Sequence, residues 1–306
     1  MSTAITQPPV IGQLEWLTPL IRRVLAPNPS VMTHWGTNSY IIGDGGACAV
    51  IDPGPQDRRH HAALLAALSP GEYISDILVT HRHIDHSGLA HPLAKDTRAR
   101  LWAFDEPSPQ ALPAWVKPHL SPNLHNAIDH DFTPDAILQD GQRLVSAHWT
   151  LTAHHTPGHL ADHICLSLGD WLFTGDHVMA WSSSMIALPY GDMGSYMAGL
   201  ARLSGQGWQQ FLPAHGPLCS EPEKRIFELL THRRARETQI LAALSLQPHR
   251  LSDLVTRCYD TTPPYLHKAA AQNILAHLVD LHKKNKYHRF VPIIPTVLFN
   301  GPTEFI

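Results

Sequence analysis

The sequence predicts an α/β fold followed by a second, smaller unit, and three observations carry that expectation. First, the apolar stretch Ile77-Leu78-Val79-Thr80 reads as a buried strand that ends in His81-Arg82-His83-Ile84-Asp85-His86. A strand ending this way delivers its side chains to a cleft at the sheet edge, where α/β folds bind ligands. Second, short apolar strands and glycine turns alternate with amphipathic helical stretches as far as His215. Third, charge is unevenly spread. Residues 221–289 carry 12 Lys/Arg against 7 Asp/Glu, whereas the remainder holds 11 against 19.

The bulk properties bound the function. With 306 residues, 43% of them apolar, the chain can bury a large core, and one large plus one small domain is expected. A formal charge of −3 leaves no whole-molecule electrostatic footprint for nucleic acid. Cys48, Cys165, Cys219 and Cys258 are scattered without metal-type spacing and read as free thiols of a reducing compartment. Met1–Val10 has no basic-then-apolar leader, and no apolar run approaches a membrane span. The expected location is cytoplasmic.

Taken in order, Leu14–Leu17 and Ile21–Leu25 read as edge strands. Asn38–Gly43 and Ala47–Asp52 read as a hairpin across Asp44-Gly45-Gly46. Asp52 then either holds the histidine loop by hydrogen bonds or simply opens the Asp52-Pro53-Gly54 turn. Residues 57–68 predict a helix with Ala62, Leu65 and Leu68 near one face. After the histidine stretch come a helix from Leu89 and a strand over Ala99–Ala103. Residues 105–136 hold six prolines among aromatics and keep no helix or strand period, which suggests a lid or substrate wall. His119, His125 and His130 within it read as surface residues.

The strand Trp149–Ala153 runs into His154-His155-Thr156-Pro157-Gly158-His159, a glycine turn that delivers His159. His154 and His155 precede the turn and are expected to face elsewhere. His163 reads as a support for the ligands or a core histidine, ahead of a residue near the substrate. Ile164–Leu168 and Trp171–Phe173 form a hairpin ending in Gly175-Asp176. Ser195 is the expected N-cap of the next helix, and Phe211-Leu212-Pro213-Ala214-His215 is a last short strand. Pro222–Leu244 predicts one long helix with proline in its first turn. Helix (Leu251–Tyr259), turn (Thr261–Pro264), helix (Leu266–Lys283) and a basic end follow in winged-helix order. The tail, residues 291–306, is apolar with Pro292 and Pro295.

Twenty-three histidines make some clustering expected by chance. The preceding strand, the Asp between the histidines and the Ser87-Gly88 turn after them argue against a plain histidine-rich loop. The stretch matches the His-x-His-x-Asp-His signature and resembles the metallo-β-lactamase superfamily. That resemblance implies a four-layer αββα sandwich over residues 1–221, and it continues into a small winged-helix domain over residues 222–290. The combination is similar to the cytosolic branch that holds β-lactamase-like ribonucleases and acyl-carrier-protein thioesterases. It implies one metal at His81, His83 and His159, a second at Asp85, His86 and His215, and Asp176 as the bridge. Asp85 would also orient the attacking hydroxide, with Asp52 and His163 behind the ligands. Each metal would keep open positions, as a catalytic site requires.

The implied cofactors are two divalent ions, Zn²⁺ first, with Mn²⁺ or Fe²⁺ accepted by the same donors. Two cations about 3.5–4 Å apart generate hydroxide near neutral pH and polarise a carbonyl or phosphoryl oxygen. The expected reaction is hydrolysis of a thioester or related ester on a small-molecule or carrier-bound acyl substrate. Trp115, Trp181 and Tyr190 are candidates for the substrate wall, along with Phe104 and Phe132. The runner-up is a phosphodiesterase or ribonuclease with the same centre. No basic run lies near the ligand motifs, which disfavours it, while the basic C-terminal end pulls the other way. The full ligand set argues against mononuclear-iron redox chemistry and against a degenerate nucleic-acid-binding relative. The winged-helix order separates the chain from glutathione-thioester hydrolases. A homodimer is compatible with this branch, and no membrane partner is expected.

Overall fold

The computed structural model describes residues 7–105, 109–121, 126–246 and 249–284. The basic end beyond Lys284, the tail at 291–306 and His125 lie outside them. Two sheets stack face to face. One has seven strands in sequence order: β1 (Leu14–Thr18), β2 (Ile21–Leu25), β3 (Asn38–Ile42), β4 (Ala47–Ile51), β5 (Tyr73–Leu78), β6 (Arg100–Ala103) and β7 (Ala136–Ile137). The other has five strands in the order β12 (Gln210–Pro213), β11 (Trp171–Gly175), β10 (Ile164–Leu168), β9 (Thr150–His155) and β8 (Arg143–Val145).

Strand alternation builds the layers. Tyr40, Ile42, Ile51 and Leu78 of the first sheet meet Leu151, Ile164, Leu166, Phe173 and Leu212 of the second. The neighbouring residues, Ile41, Val50 and Ile77, face outward onto α1 (Arg58–Ala66) and α3 (Ala90–Thr97). Behind the second sheet, Cys165, Leu172 and Phe211 pack with α4 (Met193–Leu203), α5 (Pro222–Leu246), α6 (Leu251–Cys258) and α7 (His267–Lys283). The order is helices, sheet, sheet, helices, as the fold class requires. One apolar cluster runs unbroken from β10 and β11 into α7. Among the described residues, no helix is long and apolar enough to cross a membrane.

Three local expectations are corrected. Strand β2 is interior: β1 and β3 flank it, and all five of its residues are buried. Its Arg22 is tolerated there because Glu72 pairs with it at 2.5 Å and the Ala67 and Gly43 carbonyls accept from its Nη1 and Nη2. Helix α1 buries His60 and Leu64 rather than Ala62 and Leu65, its side chain at 60 being held by Ser39 Oγ at 2.8 Å. Helix α4 is capped by Asp192, whose carboxylate accepts the Ser195 N–H at 2.8 Å, so Ser195 lies inside the helix.

The topology gathers strand ends. β4, β5 and β6 are parallel, as are β11 and β12, and β9 runs with β11 across two antiparallel steps. The C-terminal ends of β4, β5, β9, β11 and β12 therefore share one edge of the sandwich. Cross-sheet hydrogen bonds stitch that edge. The Ile164 N–H donates to Thr80 O at 2.9 Å, and Asn38 Nδ2 donates to Pro213 O and Gly216 O, each at 3.0 Å.

His60 carries a pH prediction. Burial lowers its pKa to about 4, against about 6.5 when unfolded. The folded chain thus binds fewer protons than the unfolded chain between these values. His60's contribution is complete above pH 6.5 and is lost as pH falls toward 4. The full loss is about 3 kcal/mol. Urea denaturation at pH 7.5 and 4.5 is expected to show a smaller loss for His60→Gln than for wild type. Equal losses would count against a neutral His60.

Candidate metal centre

Every strand end at the stitched edge carries a polar side chain. Asp52 follows β4. His81, His83, Asp85 and His86 follow β5, the last two on the single turn α2 (Ile84–Ser87). His159 follows β9, Asp176 follows β11 and His215 follows β12. The turn that delivers His159 needs glycine: Gly158 has φ +144°, and a Cβ there would lie 2.4 Å from Tyr196 Cα at the start of α4. The donors fall into two groups, His81/His83/His159/Asp176 and Asp85/His86/His215, with ligand atoms within 4.8 Å of one another in each.

Hydrogen-bond partners decide which nitrogen of each ring faces the centre. His159 Nδ1 lies 2.7 Å from Met185 O, which can only accept, so Nδ1 carries the proton and Nε2 presents a lone pair. Thr80 Oγ1 donates to Asp52 Oδ2 at 2.8 Å, so it accepts from His81 Nδ1 at 3.1 Å, leaving His81 Nε2 unprotonated. Both Nε2 atoms then point at His83 Nδ1, at 2.9 and 3.0 Å. One ring nitrogen cannot donate to both, so at least two lone pairs face each other across this point. A cation there resolves the conflict.

The second group shows the same demand. His86 Nδ1 donates to Asp52 Oδ2 at 2.9 Å, and His215 Nδ1 to Gly36 O at 3.2 Å. Their Nε2 atoms meet carboxylates: His215 lies 3.2 Å from Asp85 Oδ2 and 3.4 Å from Asp176 Oδ1, and His86 lies 3.6 and 3.7 Å from the same oxygens. His86 Nε2 and Asp176 Oδ1 are buried without a hydrogen-bond partner. Asp176 turns Oδ2 toward His159, at 3.5 Å, and Oδ1 toward the second group. One carboxylate thus faces both clusters, as a bridging ligand must.

The electrostatics divide accordingly. Burial pushes His81 well below its ordinary pKa, lowers His159 and takes His83 to about 3, which leaves neutral imidazoles suited to coordination. Burial also acts to lower His86, but Asp85, Asp52 and Asp176 outweigh it and raise His86 to about 10. His215 is raised against burial by Asp176 and Asp85. Burial favours protonated Asp85 and Asp176, yet the surrounding histidines hold both below the usual carboxylate range. The pocket retains negative charge and calls for positive charge. Divalent ions satisfy that demand, and the nitrogen and oxygen donors fit them.

The remaining candidates fall into place around this centre. Asp52 lies behind it, with φ +50°, accepting from Thr80 N at 2.8 Å and from His86. His163 Nε2 accepts the Asp176 N–H at 3.1 Å while Nδ1 donates to Thr156 Oγ1 at 2.9 Å. His154 faces Ser167, and His155 stacks on Phe104, both away from the centre. Trp181 lies beside Gly216, the residue after His215, and against His34. Trp115 packs on the C-terminal helices near His282, and Tyr190 is half-buried in a turn. Phe104 and Phe132 are core residues rather than cleft lining, since Phe132 is buried under α3 beneath the Arg82 guanidinium.

Sequence reasoning missed the pins of the histidine loop. Arg82 turns away from the centre to Phe132 O at 2.9 Å, with Asp162 3.7 Å from its Nε. Ser87 donates to Asp129 at 2.8 Å, and Ile84 N to Ala127 O at 2.9 Å. The end of the proline-rich insert therefore clamps the loop. Its aromatics and prolines signalled packing, but not its partner.

Comparisons with known proteins agree with this geometry. Residues 32–212 match the family model described as metallo-beta-lactamase superfamily, and residues 251–288 match the beta-lactamase associated winged helix domain. The chain is 33% identical over 292 residues to the beta-lactamase-like protein 2 homolog of Drosophila melanogaster, covering 90% of this chain and 92% of that one. It is 30% identical over 260 residues to an atrochrysone carboxyl ACP thioesterase of Claviceps purpurea, covering 82% and 76%. The crystal structure of a metallo-beta-lactamase family protein from Thermus thermophilus superimposes with a TM-score of 0.74 at 23% identity, covering 90% of this chain and 98% of that one.

Asp52→Asn tests the support behind the ligands. Asparagine tolerates the left-handed backbone and still accepts from Thr80 N, but its amide withdraws the acceptor facing His86. Divalent-metal affinity, measured by competition with a chromophoric chelator, is expected to fall about 10-fold to 100-fold. Unchanged affinity would remove Asp52 from the centre.

Proposed function

Because the chain belongs to the metallo-β-lactamase superfamily, we propose that it is a binuclear metal-dependent hydrolase of thioesters or related esters. The observation that carries this reading is the Asp176 carboxylate shared between two convergent donor groups. His81, His83 and His159 would hold one divalent ion, and Asp85, His86 and His215 the other, with Asp176 common to both. Zinc is the first expectation, and manganese or iron suits the same donors. When bound, such a pair supplies a hydroxide nucleophile at neutral pH and polarises the scissile carbonyl.

The chain's own residues do the rest. Asp85 keeps 30% of its side chain exposed, and it would orient an attacking water as well as ligate. Asp52 holds the His86 ring and His163 holds the Asp176 backbone from behind. Trp181, beside Gly216, is the wall candidate next to a donor, while Trp115 packs on the C-terminal helices; Tyr190 remains a wall candidate.

Two observations favour an acyl substrate over a phosphodiester. Arg82, the one arginine of the histidine loop, is engaged with Asp162 and Phe132 and presents no cation to a phosphate. The Claviceps purpurea relative is named as a carrier-protein thioesterase, which supports a carrier-bound acyl group here. The phosphodiesterase or ribonuclease reading draws on the excess of basic residues in the C-terminal unit.

Elemental analysis alongside a turnover panel tests the proposal. The panel holds an acyl-CoA, an acyl-carrier thioester, bis-p-nitrophenyl phosphate and a short RNA. Two zinc ions per chain with turnover of thioesters alone is the expected result. Turnover confined to RNA and the phosphodiester would transfer the assignment to the second reading, and iron without hydrolysis would overturn both. His83→Ala and Asp176→Ala are each expected to remove metal and turnover together. Hydrolysis retained by a metal-free variant would sink the metal mechanism.

A further inference from the structure

Between Asp176 and α4 the chain runs as a strap, residues 177–192, with no strand or helix of its own. A buried strap without a ladder must find partners for its backbone groups elsewhere. On one side it meets the metal centre. Met185 O accepts from His159 Nδ1 at 2.7 Å, and the Ser184 hydroxyl donates to the Asp176 carbonyl and lies 3.0 Å from His177 O. On the other side it meets the C-terminal helices. Asn273 Oδ1 on α7 accepts the Ile186 N–H at 3.0 Å, and Arg233 Nη2 on α5 donates to the Ser184 carbonyl. Arg225, earlier on α5, holds Met179 O at 2.8 Å and Ser182 O at 2.7 Å.

We propose that Asn273 and Arg233 are positioning residues of the metal centre, acting through the 184–186 segment on His159 and Asp176. This rests on the reading of the centre as a metal site. Three consecutive residues are gripped from both sides, and the carbonyl that orients His159 lies between the two backbone groups that the helices hold. Ile186 is fully buried, so the grip has no solvent substitute. Arg233 is also fully buried, and Ser184 O is the acceptor of its Nη2 while Nε and Nη1 find none. Burial of a guanidinium in that state is costly, and packing alone does not require it. Holding the strap carbonyl gives it a purpose. The C-terminal helices are then part of the catalytic unit rather than an appendage beside it.

The test compares Asn273→Leu, which removes the acceptor, with Asn273→Asp, which keeps it, and adds Arg233→Met from the other helix. Each full-length protein is loaded with cobalt(II). The readouts are the visible absorption spectrum, the affinity by chelator competition and the melting temperature without metal. Asn273→Leu and Arg233→Met are expected to weaken metal binding about 10-fold or more and to alter the cobalt spectrum, while Asn273→Asp restores both. Wild-type spectrum and affinity in folded Asn273→Leu and Arg233→Met would overturn the proposal. A variant that fails to fold is replaced by a measurement on the wild type. Hydrogen exchange at 184–188 and around Asn273 is expected to slow when zinc binds, and unchanged exchange overturns the coupling. A wild-type chain that takes up no metal at all instead overturns the metal reading itself.

Discussion

A histidine that turns one ring nitrogen toward a metal leaves the protein a single nitrogen by which to hold it. That constraint organises this fold. His81 is held by Thr80, His86 by Asp52, His159 by the Met185 carbonyl and His215 by the Gly36 carbonyl. Each partner sits on a different segment, so the rings converge only if four strand ends and two loops arrive together. Asp52 is the densest junction. Its carboxylate meets the Thr80 amide, the Thr80 hydroxyl and His86, and its backbone accepts a left-handed φ of +50° to do so. Such strain persists where the surroundings over-determine it.

The two halves of the centre differ in charge, and the difference is structural. His81, His83 and His159 crowd each other in a buried corner that favours neutral rings. His86 and His215 face Asp85 and Asp176 in a corner that attracts protons. The first group would coordinate mainly through nitrogen, while in the second Asp85 and Asp176 offer more oxygen.

Much of this was legible because the ligands sit in short motifs at strand ends. The apolar run before His81, the glycine turn before His159 and the Gly-Asp after β11 each announce a side chain delivered to an edge. Carbonyl partners left no trace, since Met185 and Gly36 act through backbone atoms that any residue carries. The inward face of α1 was misread because His60 is polar in sequence and buried in the fold, with Ser39 satisfying it. Strand β2 reads as an edge in the sequence because residues 14–35 alternate short apolar runs with prolines, and its Arg22 and Arg23 do not speak against that. Their charges are instead neutralised by Glu72 and Glu15, residues whose pairing requires the sheet to exist. Asp192 displaced Ser195 as the cap of α4 because an ionised carboxylate accepts the N–H more strongly and also meets Lys283.

The relation between the two matched regions follows from the same accounting of polar groups. A substrate-recognition module loosely attached to an enzyme would touch it through solvated side chains, and its core would close on itself. Here the apolar cluster beneath β10 and β11 continues without a break into α5, α6 and α7. Arg225, Arg233 and Asn273 direct their polar atoms to the backbone of a strap that ends at a ligand of the centre. The proline-rich insert closes the arrangement, clamping the histidine loop at Ala127 and Asp129 while Val116 and Trp115 pack into the C-terminal cluster. A disturbance of the C-terminal helices therefore has two physical routes to the proposed ligands, one through the strap to His159 and one through the insert to the loop that carries His83 and His86.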